Sequence, residues 1–223
     1  MMDFETARNK MVDNQIRPTD VTSYSVLTAF LTVPREAFVE PRLKALAYLD
    51  SDIEVCPAKV GETGRYLMEA SPLAKLVQLA AITKDDLVLE IGTGTGYVAA
   101  ILSLLAGSVV ALESNAALAD QAKDTLDTLG YANVSVVTGE MEAGFAGEAP
   151  YDLIFVNGAV EEVPAALLGQ LREGGRLVAV VGTGNAARAK VFTRESGANS
   201  ESSYFNASIK PLPGFRKARE FSF

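Results

Sequence analysis

The run Val88-Leu89-Glu90-Ile91-Gly92-Thr93-Gly94-Thr95-Gly96-Tyr97 concentrates the residues best suited to hold a ligand. It reads as an apolar strand entering a glycine turn that opens a helix. Glycines let a ligand approach the backbone closely, and free N–H groups at a helix start favour polar or anionic partners. Two ligands compete for such a turn. Gly94-x-Gly96-x-x-Ala99 satisfies the dinucleotide fingerprint, and Glu113 lies close to the distance, about 20 residues, at which a carboxylate meets a ribose hydroxyl. The second ligand is S-adenosylmethionine. Glu90 sets a carboxylate beside the turn, where it repels pyrophosphate and suits a cationic aminoacyl group. That favours the methyl donor. Glu113 fits a ribose in either reading, and Gly139-Glu140-Met141 puts a carboxylate and an apolar side chain where an adenine could lie. The expected cofactor-binding set is Glu90, Gly92, Thr93, Gly94, Thr95, Gly96, Tyr97, Glu113, Glu140 and Met141.

Composition removes other chemistries. The chain has no histidine and one cysteine, Cys56, so imidazole bases, zinc sites and disulfides are not expected. Cys56 itself reads as a small, partly buried thiol. Lys and Arg number 20 against 28 Asp and Glu, a net charge of −8, and so acidic a surface argues against nucleic acid as a partner. No stretch is long and apolar enough for a membrane span. The opening residues 1–10 lack the basic-then-apolar order of a secretory signal, which makes the cytoplasm the expected compartment.

The elements that must position these residues follow from hydrophobic spacing. Residues 1–70 read as a helical extension followed by an irregular loop at 50–70, where Pro57, Gly61 and Gly64 break any period. From residue 71 to the end a Rossmann-like core is expected, with no separate second domain. Ser71 and Pro72 read as the cap and first residue of a helix bearing Leu73, Leu76, Val77 and Ala80 on one stripe. Strands at 87–91, 108–112, 133–138, 152–156 and 176–181 alternate with helices at 97–105, 118–129 and 164–171. Strands separated by helices imply right-handed crossovers and a parallel sheet. The tail differs: runs at 189–193 and 203–209, joined through residues 196–199 without a helix, predict an antiparallel C-terminal hairpin. The expected fold class is α/β, a doubly wound, mostly parallel seven-stranded sheet.

Several blocks resemble the protein-L-isoaspartate O-methyltransferase family over most of the chain. Val33-Pro34-Arg35-Glu36-Ala37-Phe38-Val39 is similar to its N-terminal block, and residues 88–97 to its cofactor loop. Ala149-Pro150-Tyr151-Asp152-Leu153-Ile154-Phe155-Val156, followed by Leu171-x-x-Gly174-Gly175-x-Leu177-Val178, is similar to its fourth strand and following turn. The resemblance implies a class I methyltransferase fold, S-adenosylmethionine as donor, and methylation of isomerised aspartyl carboxylates in damaged proteins or peptides. Two positions depart from the pattern. Where the family carries Thr-Ile-Ser-Gln-Pro this chain has Tyr66-Leu67-Met68-Glu69-Ala70, so Met68 takes the place of the substrate-side serine. Gly139-Glu140-Met141 replaces the family's Gly-Asp-Gly.

Methylating a carboxylate requires no base, because the acid is ionised at neutral pH. On the acceptor side Tyr66 and Asn157 are the candidates, with Arg65 read as a solvated basic side chain. Met68 and Glu69 keep open a related methyltransferase with another small-molecule or protein acceptor, or a non-catalytic cofactor-binding homologue.

Overall fold

The computed structural model describes residues 3–58 and 63–215. Its centre is a seven-stranded sheet ordered β5-β4-β3-β6-β7-β8-β9. These strands are β3 (Leu87–Ile91), β4 (Ser108–Glu113), β5 (Val134–Thr138), β6 (Tyr151–Val160), β7 (Leu171–Val181), β8 (Arg188–Glu195) and β9 (Ala198–Asn206). Pairing is parallel from β5 through β7 and antiparallel at β8 and β9, as the strand-helix alternation and the helix-free tail predict. Successive strand residues serve opposite faces. Val88, Leu153, Phe155 and Val178 join one core cluster, while Leu89, Ile91, Ile154 and Leu177 join the other. Both faces are covered, so the central strands are continuous apolar runs. Strand β3 pairs with β4 on one side and β6 on the other. The strand order reverses there, and ligands of such sheets bind at the carboxyl ends of those strands.

Helices α3 (Ala70–Leu79), α4 (Tyr97–Leu105) and α5 (Ala116–Leu129) flank the sheet. The N-terminal helices α1 (Phe4–Met11) and α2 (Tyr24–Thr32) pack into the same core as the sheet, with Met11, Ile16 and Phe30 at most 1% exposed. Phe30 and Phe38 present edges to the ring of Tyr97, with centroids 6.4 and 5.6 Å away. Beside them Arg35 is fully buried. Its Nε donates to Ala47 O and its Nη2 to Met68 O, both at 2.7 Å, and its guanidinium lies 4.9 Å from the Tyr97 ring centroid. Without that guanidinium two buried carbonyls would lose their donors.

Three expectations are corrected. Residues 50–70, read as irregular, contain a two-stranded antiparallel ladder of β1 (Ile53–Cys56) and β2 (Arg65–Leu67), with Ile53 opposite Leu67. Its strands are too short for a sequence period to declare itself, and the pairing supplies the order. Helix α3 starts at Ala70, not at Pro72. Pro72 still falls within the first turn, where its missing N–H removes no intrahelical bond, and the N–H of Glu69 is held by Asp52 Oδ1 at 2.9 Å. The helix expected over 164–171 is a single turn, α6 (Ala165–Leu168). Gln170 leaves it: its side chain accepts from Phe145 N and donates to Ala143 O, and its carbonyl accepts from Tyr151 N. No helix among the described residues is long and apolar enough to cross a membrane.

Arg35→Ala opens a cavity and orphans the carbonyls of Ala47 and Met68, so a loss of about 3 kcal/mol in unfolding free energy is expected in urea titration.

Candidate functional site

The site is built at the carboxyl ends of β3, β4 and β6. Glu90 and Glu113, near the ends of β3 and β4, are both fully buried. The turn between β3 and α4 runs through Gly92, Gly94 and Gly96 at φ of +84°, +58° and +94°, a region that favours glycine. A side chain at Gly96 would also meet Leu126 Cδ1 at 3.1 Å. Thr93 and Thr95, between them, are each 3% exposed.

Glu113 is saturated with donors. One oxygen accepts from Gly94 N at 2.8 Å, and the other from Ser114 N at 3.0 Å and Asn115 N at 3.1 Å. The guanidinium of Arg65 adds an ion pair at 2.9 Å from Nη2. The same nitrogen donates to Gly92 O at 3.0 Å, and Nη1 lies 3.7 Å from Met141 Sδ. Arg65, read from sequence as solvated, is therefore 6% exposed and central. The reason is the β1–β2 ladder: Arg65 and Leu67 face inward, while Tyr66 between them faces the rim.

Glu90 has the opposite character. Asn157 Nδ2 donates to its Oε1 at 3.0 Å and to Gly92 O at 3.1 Å, while Glu90 Oε2 and Thr93 Oγ1 are buried without a hydrogen-bond partner. Burial pushes the Glu90 carboxyl up to about 7, against the pull of the neighbouring Thr93 hydroxyl and then of the Asn157 amide. Of the remaining expected residues, Met141 is buried beside Arg65 and Glu140 is exposed at the turn before it. Tyr97 departs from expectation: its ring lies in the core against Phe30, Phe38 and Arg35, so only its backbone belongs to the glycine turn. Tyr66 reaches Glu54 Oε1 at 3.2 Å from the rim.

Sequence reasoning missed the C-terminal return. After β9 the chain runs back along the bent end of β6, where Ala159 N donates to Lys210 O and Leu212 N to Ala159 O, each at 2.9 Å. Leu212 then packs against Gly92 and Gly158, where a β-carbon would approach it to 2.8 and 2.6 Å. Lys210 sits 5.2 Å from the centroid of Tyr66. Nothing in the local pattern of residues 207–215 signals this long-range pairing.

The family model described as protein-L-isoaspartate(D-aspartate) O-methyltransferase (PCMT) matches residues 6–209. The chain belongs to this family. It is 38% identical over 211 residues to the protein-L-isoaspartate O-methyltransferase of Koribacter versatilis, covering 95% of this chain and 92% of that one. A relative from Shewanella sediminis, protein-L-isoaspartate O-methyltransferase 2, is 42% identical over 176 residues, covering 79% and 70%. A solved protein-L-isoaspartate O-methyltransferase superposes with a TM-score of 0.78 at 29% identity, covering 93% of this chain and 66% of that one. A Plasmodium falciparum structure in complex with S-adenosyl-L-homocysteine shares the fold, with a TM-score of 0.74 at 15% identity over 95% and 99% of the two chains. The family's members are S-adenosylmethionine-dependent transferases.

The residues present fit that cofactor. Glu90 has a buried, unpaired oxygen of the sign to receive an ammonium group, the turn beside it has the positive φ angles that favour glycine, and a cavity of about 520 Å³ opens beside Glu113, Ser114 and Asn115.

The raised Glu90 value makes folded and unfolded chains bind its proton differently. The folded chain holds the proton more tightly, so stability falls as pH rises from 4.5, the ordinary value, through about 7. Glu90→Gln removes that penalty. Its thermal midpoint is expected to exceed that of the parent by about 5 °C at pH 8 and to match it at pH 4.

Proposed function

We propose that this chain transfers a methyl group from S-adenosylmethionine to the free carboxylate of isoaspartyl residues in proteins and peptides, and that it works in the cytoplasm. The observation that carries the reading is the Glu90 carboxylate beside the glycine turn, with one oxygen unpaired and the other held by Asn157 of the acceptor side. In this reading Glu90 and the turn from Gly92 to Gly96 hold the aminoacyl end, Glu113 the ribose, and Met141, with Glu140 at its edge, the adenine. When bound, the cofactor supplies an electrophilic sulfonium methyl group. The chain's own residues need only orient an acceptor that is already ionised.

Asn157 lines the narrow pocket between β2 and the C-terminal return, with Tyr66, Met68 and Lys210 around it. Its amide is engaged with Glu90 and Gly92, which fixes the floor of the pocket without a catalytic base. Outside that pocket lies a wider cleft lined by Asp50, Asp52, Glu54, Glu69 and Lys210. Burial, followed by Asp50, raises the Glu69 carboxyl above its usual value. Four carboxyl groups at the mouth favour acceptors carrying positive charge around the isomerised residue.

Label transfer from S-adenosylmethionine to an isoaspartyl peptide and to its normal aspartyl twin tests the reading. Base-labile label on the isoaspartyl peptide alone is expected; label on neither peptide would refute it. Among isoaspartyl peptides, flanking Lys residues are expected to give a KM about tenfold below flanking Glu, a difference that shrinks in high salt. Met68→Ser restores a donor to the pocket, and kcat on the isoaspartyl peptide is expected to rise ~10-fold in the same assay.

A further inference from the structure

Arg65 lines both the cavity beside Glu113 and the acceptor-side pocket of Asn157 and Met68. A methyl donor and its acceptor must meet between those two spaces. The guanidinium stands between them, held by Glu113, by Gly92 O and beside Met141 Sδ, which are the groups that the proposed function assigns to ribose, aminoacyl end and adenine. Cofactor and guanidinium therefore contend for the same carboxylate.

Release of Arg65 leaves Glu113 well served. Its carboxylate keeps the N–H donors of Gly94, Ser114 and Asn115, and ribose hydroxyls would replace the guanidinium. The acceptor pocket, by contrast, is short of donors. Met68 offers none, and the Asn157 amide is spent on Glu90 and Gly92 O. A carboxylate entering there needs a cation, and a planar guanidinium binds carboxylates in bidentate fashion. Lys210 also lines the pocket, but it is exposed and sits over the face of Tyr66, whereas Arg65 is buried.

We propose that Arg65 is a positioning residue that gates the site: it occupies Glu113 until the cofactor's ribose takes that carboxylate, then turns into the Asn157 pocket and receives the acceptor's carboxylate. The idea rests on the function proposed above. It makes binding ordered, cofactor before acceptor, and it assigns to Arg65 the recognition that a serine hydroxyl at position 68 would otherwise share.

The test uses the full chain and calorimetry with S-adenosylhomocysteine, independently of turnover. Arg65→Gln removes the internal competitor, so S-adenosylhomocysteine is expected to bind about tenfold more tightly than to the parent chain, as follows if the open form is one tenth populated. In methyl transfer the same variant is expected to show a tenfold higher KM for the isoaspartyl peptide, with Arg65→Lys between the two. Equal or weaker S-adenosylhomocysteine binding by Arg65→Gln would overturn the gate. A second measurement needs no variant: the parent chain is expected to bind the isoaspartyl peptide only with S-adenosylhomocysteine present. Equal peptide binding without it would overturn the proposal. If the peptide fails to bind in either state, the acceptor assignment is at fault, and the affinity comparison between the parent and Arg65→Gln still decides the gate.

Discussion

A carboxylate sealed from water has to be met by donors, and the burial of Glu113 organises much of this site. Three backbone N–H groups and one guanidinium converge on it. Each donor constrains a different segment. Gly94 must bring its N–H inward, which the glycine turn permits; Ser114 and Asn115 must turn at the end of β4, where Asn115 also caps α5 by accepting from Ala117 N and Leu118 N. Arg65 must arrive from β2, which ties the short β1–β2 ladder to the carboxyl end of β4.

Glu90 is the complement of that arrangement. One of its oxygens is held by Asn157 and the other is buried without a partner, so its charge is costly in the fold. Two carboxylates at neighbouring strand ends thus differ in character because their donors differ, one satisfied by the protein and one left with an unpaired oxygen. This division suits a cofactor with a neutral, hydroxyl-rich portion and a cationic portion.

The acceptor side is assembled from segments that lie far apart in the chain. Arg35 holds the carbonyl of Met68 from 33 residues away, so the N-terminal extension fixes the backbone at the position where the family carries its serine. The C-terminal return lays Lys210 and Leu212 over the bend at Gly158. Lys210 meets the acidic group of Asp50, Asp52, Glu54 and Glu69 at this mouth.

The residues alone determined the alternating strands and helices, the glycine turn, and Glu90 and Glu113 as strand-end carboxylates, because each depends on periodicity or on a strand, turn and helix adjacent in sequence. The C-terminal hairpin was legible for the same reason. Tertiary structure decided what each side chain meets. Arg65 is 48 residues from Glu113 and Asn157 is 67 from Glu90, and no local pattern carries such pairings. It turned Tyr97 into the core, since the first residue of a helix packed under α2 faces Phe30. It also paired residues 53–56 with 65–67, two strands too short to show a period that are stable only against each other and against the sheet.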